Sequence, residues 1–151
     1  MPLMDFSSME KEINNAPEPR VLNKGEEVQA RIIAINTGIS EKNGAPWFMP
    51  RFDVPKDPMV KEFTDFMWDP SGSSKLDEKA KQRNNYHLQQ FFKCFKVDIS
   101  KPFQWEDLVG KLGWIIAGQR ETDDFGIQNS VAKYITGQGQ DKTAAPVDPN
   151  Y

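Results

Sequence analysis

Cysteine and histidine are almost missing from this 151-residue chain, each occurring once, as Cys94 and His87. A lone cysteine excludes an internal disulfide framework and a cysteine-rich metal site, and it suits a reducing cytoplasm. Without a second histidine, His87 and Cys94 make no metal centre, so no metal and no cofactor is expected. No apolar run approaches the roughly 18 residues of a membrane helix, so no membrane partner is expected. The N-terminal MPLMDFSSMEKEI has early acids and no apolar block before small residues, unlike a secretory signal. An excess of positive charge is missing too. The formal net charge is −3, and residues 25–137 hold 15 basic against 16 acidic side chains, so bulk charge cannot drive coating of a nucleic acid. An anion would have to be held by a local patch.

Catalytic constellations are also scarce. The chain has no G-x-x-x-x-G-K-[ST] run and no carboxylate set for two metals. Asp123-Asp124 before Phe125-Gly126 is first a turn signal, PSGSSK looks like a helix cap, and the one histidine sits in an apolar stripe with no nucleophile beside it. The expectation is a protein that is not an enzyme.

What is present is regular punctuation. Residues 1–24 read as an N-terminal arm, in which Leu3, Phe6, Met9 and Ile13 recur at helical spacing and Ser7 or Ser8 is placed to cap a short helix to about Asn14. Residues 138–151 have almost nothing to bury and read as a disordered tail. Between them, residues 25–137 read as one domain. Glu27–Thr37 is the first strand, in which the adjacent pair Ile32 and Ile33 calls for a β-bulge that returns Ile33 and Ile35 to the core side. Asn43-Gly44 signals a hairpin, Trp47–Val54 the second strand, and Glu62–Asp69 the third. A helix of about twenty residues follows from Ser74, with Leu76, Ala80, His87, Leu88, Phe91, Phe92 and Phe95 on one stripe. A single helical turn at Gln104–Val109 then leads to the last two strands, Leu112–Glu121 and Ile127–Thr136, joined by DDFG.

Five strands with one long helix between the third and fourth predict a mainly β domain with a helix, in the order of an OB-like, partly open five-stranded barrel. A small α+β sheet with a helix on one face has the same order. The GEE-led first strand, NGAPWFMPRFDV, LQQFFKCF and the QNSVAKYI strand form one set. With them stands Trp105, Leu108, Gly110 and Lys111 of W-x-x-L-x-G-K followed by Asp124, Gly126 and Asn129. The set resembles a family of short, largely uncharacterised phage-encoded proteins over roughly Asp5 to Thr136. That resemblance implies a fold similar to single-stranded DNA-binding proteins and a place in a phage replication or recombination system, in the cytoplasm of the infected host cell. The implied partners are single-stranded DNA and phage replication or recombination proteins, and the arm is placed to dock on the domain or to self-associate as a homo-oligomer. Cellular single-strand binders end in an acidic tip with a terminal phenylalanine, whereas this chain ends in PVDPNY.

Single-strand binding needs flat side chains for bases to stack on and cations spaced to meet phosphates. In the second strand, alternation puts Phe48, Pro50, Phe52 and Val54 inward and Trp47 and Arg51 outward. Pro50 has no N–H for a ladder, so the strand should be bulged or edge-like there. In the third, burial of Asp65 would be costly, so Thr64, Phe66 and Trp68 are the better inward set and Phe63 joins the outer surface, although a one-residue slip exchanges Phe63 for Trp68. Arg120 and Lys133 are candidate phosphate contacts, with Phe125 and Tyr134 as candidate stacking partners. A dull alternative stands beside each of these: Trp47 covering a barrel end, Arg51 pairing with Asp53 or Asp65, Phe125 holding its turn. The same outward aromatics would also serve a protein-interaction module in a phage recombination complex.

Overall fold

The structure, a computed structural model, describes residues 2–137, so the expected tail at 138–151 lies outside the described residues. Six strands form one antiparallel sheet: β1 (Glu27–Ile39), β2 (Pro46–Asp53), β3 (Phe63–Thr64), β4 (Met67–Trp68), β5 (Leu112–Thr122) and β6 (Gly126–Tyr134). Their lateral order is β3-β2-β1-β5-β6, with β4 also paired to β2. No ladder joins β3 to β6, so the sheet is not closed into a barrel. The helices are α1 (Glu10–Asn14) in the arm and α2 (Glu78–Cys94), which packs its apolar stripe on the sheet.

β1 is long because its β-branched residues fit a pleated, half-buried surface. Its register against β2 shifts between Ile32 and Ala34, the bulge that the adjacent isoleucines require; Ile35 packs against the core beyond it, whereas Ile33, the unpaired residue of the bulge, is half-buried and not part of the core cluster. The β1–β2 connection closes with Ser40 N–H donating to Ala45 O at 2.9 Å and Asn43 Oδ1 accepting from Ala45 N–H at 2.9 Å. α2 starts one turn later than Ser74 would place it. Asp77 is the cap, its carboxylate accepting from Ala80 N–H at 2.7 Å, an arrangement that stabilises a helix by about 1 kcal/mol.

Leu88, Phe91, Phe92 and Phe95 of that stripe are buried, each stabilising by roughly 1.5–3 kcal/mol. Phe95 stacks on Phe52 with ring centroids 5.7 Å apart, and Phe91 and Tyr134 enclose the pair. The helical turn expected near Gln104 is a 3-10 turn at Trp105–Leu108, held by reciprocal bonds between Gln104 and Asp107.

The third strand departs from its expected form. It breaks into β3 and β4 opposite Pro50, which has no N–H to give; Asp65 N–H donates to Pro50 O at 3.1 Å across the gap. The irregularity expected at Pro50 is therefore a gap in the neighbouring strand, while β2 itself lies inside the sheet. Two buried asparagines satisfy backbone groups outside the ladders, one at the end of β4 and one in the segment before β1. Asn84 of α2 accepts from Trp68 N–H at 2.9 Å and donates to Trp68 O at 2.8 Å, and Asn129 of β6 does the same for Leu22 at 2.9 and 3.1 Å.

Candidate functional site

β2 separates two environments residue by residue. Phe48, Pro50, Phe52 and Val54 are buried, as alternation requires, and Trp47, Met49, Arg51 and Asp53 lie on the other face. On that outer face Asp53 is taken by Arg31, which donates to its two carboxylate oxygens from Nε and Nη2 at 3.0 and 2.5 Å. Arg51 has a looser partner, Glu62, at 3.7 Å, and both side chains are about half exposed. An ion pair so exposed contributes about 0–1 kcal/mol and is easily exchanged for another anion.

Arg51 opens into a cleft of about 330 Å³ between the β2–β3 edge and the β5–β6 hairpin. Arg120, Phe125, Gln128 and Thr64 line it with Arg51. Arg120 is exposed and makes no ion pair among the described residues. Phe125, at the hairpin tip, is 74% exposed, and its N–H is held by Thr122 Oγ1 at 3.1 Å. The next residue, Gly126, has φ +68, a left-handed backbone that lets the hairpin turn with its phenylalanine outward. Two guanidiniums, the Glu62 carboxylate, an uncovered ring and a side-chain amide thus face one solvent-open hollow.

At the other end of β2 the same outer face carries aromatics. Trp47 lies opposite Trp68 in the ladder and 5.8 Å from Phe66, which is 39% exposed; Phe66 in turn meets Trp68 edge-on at 4.9 Å. Gly38 of β1 makes this possible. A Cβ there would stand 2.3 Å from the Trp47 ring, so only glycine lets the indole lie across β1. Four residues of strand separate Trp47 from Arg51, roughly 13 Å.

Two candidate residues are elsewhere. Phe63 is 3% exposed and packs on Phe52 at 5.4 Å, and Tyr134 is also 3% exposed, inside the core. The inward set of the third strand is therefore Phe63 and Met67, not Thr64, Phe66 and Trp68, and Tyr134 is not a surface stacking residue. Phe63 shapes the cleft from beneath. Trp68 stays half-buried on the outer face, and Lys133 is exposed but lies beside Tyr86, His87 and Gln90 of α2, away from the two arginines.

The cause of the reversed parity is Asp65. Its carboxylate accepts from Tyr134 Oη at 2.5 Å and bonds His87 Nε2 at 2.7 Å, so the charge that seemed too costly to turn inward is partnered twice. The bond to Asp65 holds the His87 pKa above its ordinary value, against a smaller opposing effect of burial. Burial, reinforced by Asp65, pushes the Tyr134 phenol well above its usual range. These three side chains cross the seam where β3 and β6 lack a ladder. Cys94 is committed separately, donating to Trp114 O at 3.2 Å with its thiol pushed up to about 12 by burial. Among the described residues, no three His, Cys, Asp or Glu side chains converge as metal ligands do.

Sequence reasoning passed over Phe66 and Gly38. Phe66 has the right chemistry but the wrong assigned parity; Gly38 shows its role only once Trp47 lies on it. No protein-family model matches the chain, and no curated protein or solved structure similar to it is found.

Proposed function

We propose that this protein binds single-stranded DNA without strong sequence preference, through the outer face of β2 and the cleft beside it. The observation that carries the reading is the meeting of Arg51, Arg120 and Phe125 in one cleft, continuous along β2 with Trp47, Phe66 and Trp68. Stacking asks only for a base's flat face, and arginines meet phosphates whatever the sequence, which is the chemistry of unspecific single-strand binding. The near-neutral charge of residues 25–137 implies moderate affinity that weakens as salt rises. In the same reading the fold is OB-like: bringing the free edges of β3 and β6 together would close the five-strand ring of such a barrel. The sequence resemblance adds a phage replication or recombination system as the setting.

Titration of tryptophan fluorescence with oligothymidine at two salt concentrations tests the reading. Quenching should saturate, and the affinity should fall at the higher salt; absence of quenching, or indifference to salt, would sink it. Duplex and RNA competitors then define the preferred strand.

A second reading, a protein-interaction module in a phage recombination complex, is favoured by the exposed apolar face of the arm, where Leu3, Phe6, Met9 and Ile13 stand in solvent. Charge reversal at Arg51, Arg120 and Lys133 separates the two, because it should abolish DNA binding and leave an apolar protein contact in place.

A further inference from the structure

Two concavities border α2 among the described residues. The larger, a groove of about 720 Å³, is walled by Phe48, Leu88, Phe92, Phe103 and Trp105, and the one lysine and one carboxylate in its lining, Lys93 and Asp69, offset each other. The smaller is a hollow of about 280 Å³ between α2 and the end of β6, where Tyr86, His87, Gln90 and Lys133 meet and no carboxylate joins the lining. Its charge is not cancelled. His87 is matched by Asp65 behind it, but Lys133 is exposed and makes no ion pair among the described residues.

The register of β6 decides where Lys133 points. Asn129 is buried and Val131 packs against the core, so strict alternation would turn residue 133 inward as well. The ladder shifts instead: Ala117 faces Val131 and Ile116 faces Lys133, which leaves Ala132 as the extra residue of a bulge and sends Tyr134 inward in place of Lys133. Lys133 therefore shares the outer face with Gln128 and Ser130, because their partners on β5, Ile116, Arg120 and Gly118, have one parity. Gln128 lines the arginine cleft and Lys133 lines the hollow. One face of one strand thus connects them over roughly 15 Å.

α2 supplies a ring and a second cation. Tyr86 is 65% exposed, and Arg83, one turn before it on the same side of the helix, is exposed and unpaired among the described residues. From Lys79 to Lys93 the helix carries Lys79, Lys81, Arg83 and Lys93 and no acidic side chain. A free ring with unpaired cations beside it is what a stacked base and its flanking phosphates require. We infer that this hollow is a second contact for single-stranded DNA: the strand leaving the arginine cleft follows β6, stacks a base on Tyr86 and places phosphates against Lys133 and Arg83. The inference rests on the proposed DNA binding at the cleft and adds a length requirement to it. A strand too short to span β6 gains nothing from the hollow.

Fluorescence anisotropy of labelled oligothymidines of about four and about twelve nucleotides, titrated with the full chain, tests it. Tyr86→Ala with Lys133→Met should weaken the longer strand about tenfold, lower its salt slope by about one, and leave the shorter strand within about twofold of the native protein. Tyr86→Phe, which keeps the ring, should bind both strands as the native protein does. Arg51→Glu should weaken both lengths. Tyr86 and Lys133 are exposed, so the fold, checked by circular dichroism, should persist. If the double variant binds the longer strand as tightly as the native protein, the hollow is no contact and the cleft reading stands. Equal loss on both lengths also overturns the inference, and a native protein that binds neither strand removes both readings.

Discussion

The arginine cleft and the α2 groove are both concave and both lined with aromatic rings, yet they differ in what those rings leave uncovered. In the cleft and along outer β2, Phe125 and Phe66 are exposed, with Trp47 half-buried beside Phe66 and guanidiniums along the same face, while in the groove against α2 Phe92, Phe103 and Trp105 are packed against one another and the charged lining is one lysine, Lys93, and one carboxylate, Asp69. A ring with a free face and a neighbouring cation suits a flat anionic ligand; rings that form a wall suit an apolar side chain. Aromatic content alone does not identify a binding surface, and the disposition of the rings does.

The strongest way to break that contrast is to reverse charge in the cleft. Arg51→Glu with Arg120→Glu should lower affinity for oligothymidine by about a hundredfold or more at low salt, roughly 2.7 kcal/mol, without changing the urea midpoint of the free protein. Equal loss on both assays would mean the cleft serves the fold and not a ligand. Trp47→Ala comes next. Stacking on one base is worth about 1–3 kcal/mol, so the affinity should fall by that amount while its salt dependence stays, as followed by fluorescence anisotropy of a labelled strand.

Asp65→Ala should act on stability first. It leaves Tyr134 Oη and His87 without their acceptor at the seam beneath the cleft and should cost about 1–3 kcal/mol in urea denaturation. The smallest effect is that of pH on the same pair. Because the folded His87 pKa is raised by Asp65, the pair's stabilisation is complete below the ordinary imidazole value of about 6.5 and is lost as pH rises through the folded value. Urea midpoints of the native protein should decline over that window relative to His87→Gln, and parallel pH profiles would remove the pair from the account.

Much of this arrangement was legible locally. Alternation in APWFMPRFDV assigned Phe48, Pro50, Phe52 and Val54 to the core and Trp47 and Arg51 to the outside, and the Ile32-Ile33 pair announced its bulge. Period and turn chemistry act over a few residues and can be read there. The third strand could not be read in that way, because the partners that make an inward Asp65 tolerable stand 22 and 69 positions away in His87 and Tyr134. A carboxylate looks expensive until its donors are known, and with it the parity of Phe63 and Phe66 was reversed. Tyr134 was misplaced for the same reason: a hydroxyl that belongs to a buried pair looks, in sequence, like a surface ring. Arg51, Arg120 and Phe125 were each legible as candidates, but only the fold could bring two arginines from β2 and β5 into one hollow and leave Lys133 outside it.

Asn84 and Asn129 give the molecule a property that neither helix nor ladder would supply. Each offers one carboxamide to both backbone groups of a single residue, and at Trp68, the last residue of β4, Asn84 so stands in for a neighbouring strand, while Asn129 pins Leu22 in the segment before β1. Unpaired strand margins invite other chains to add themselves, the usual route to runaway association. With the margin sealed at Trp68, a passing peptide finds no free amide there to copy.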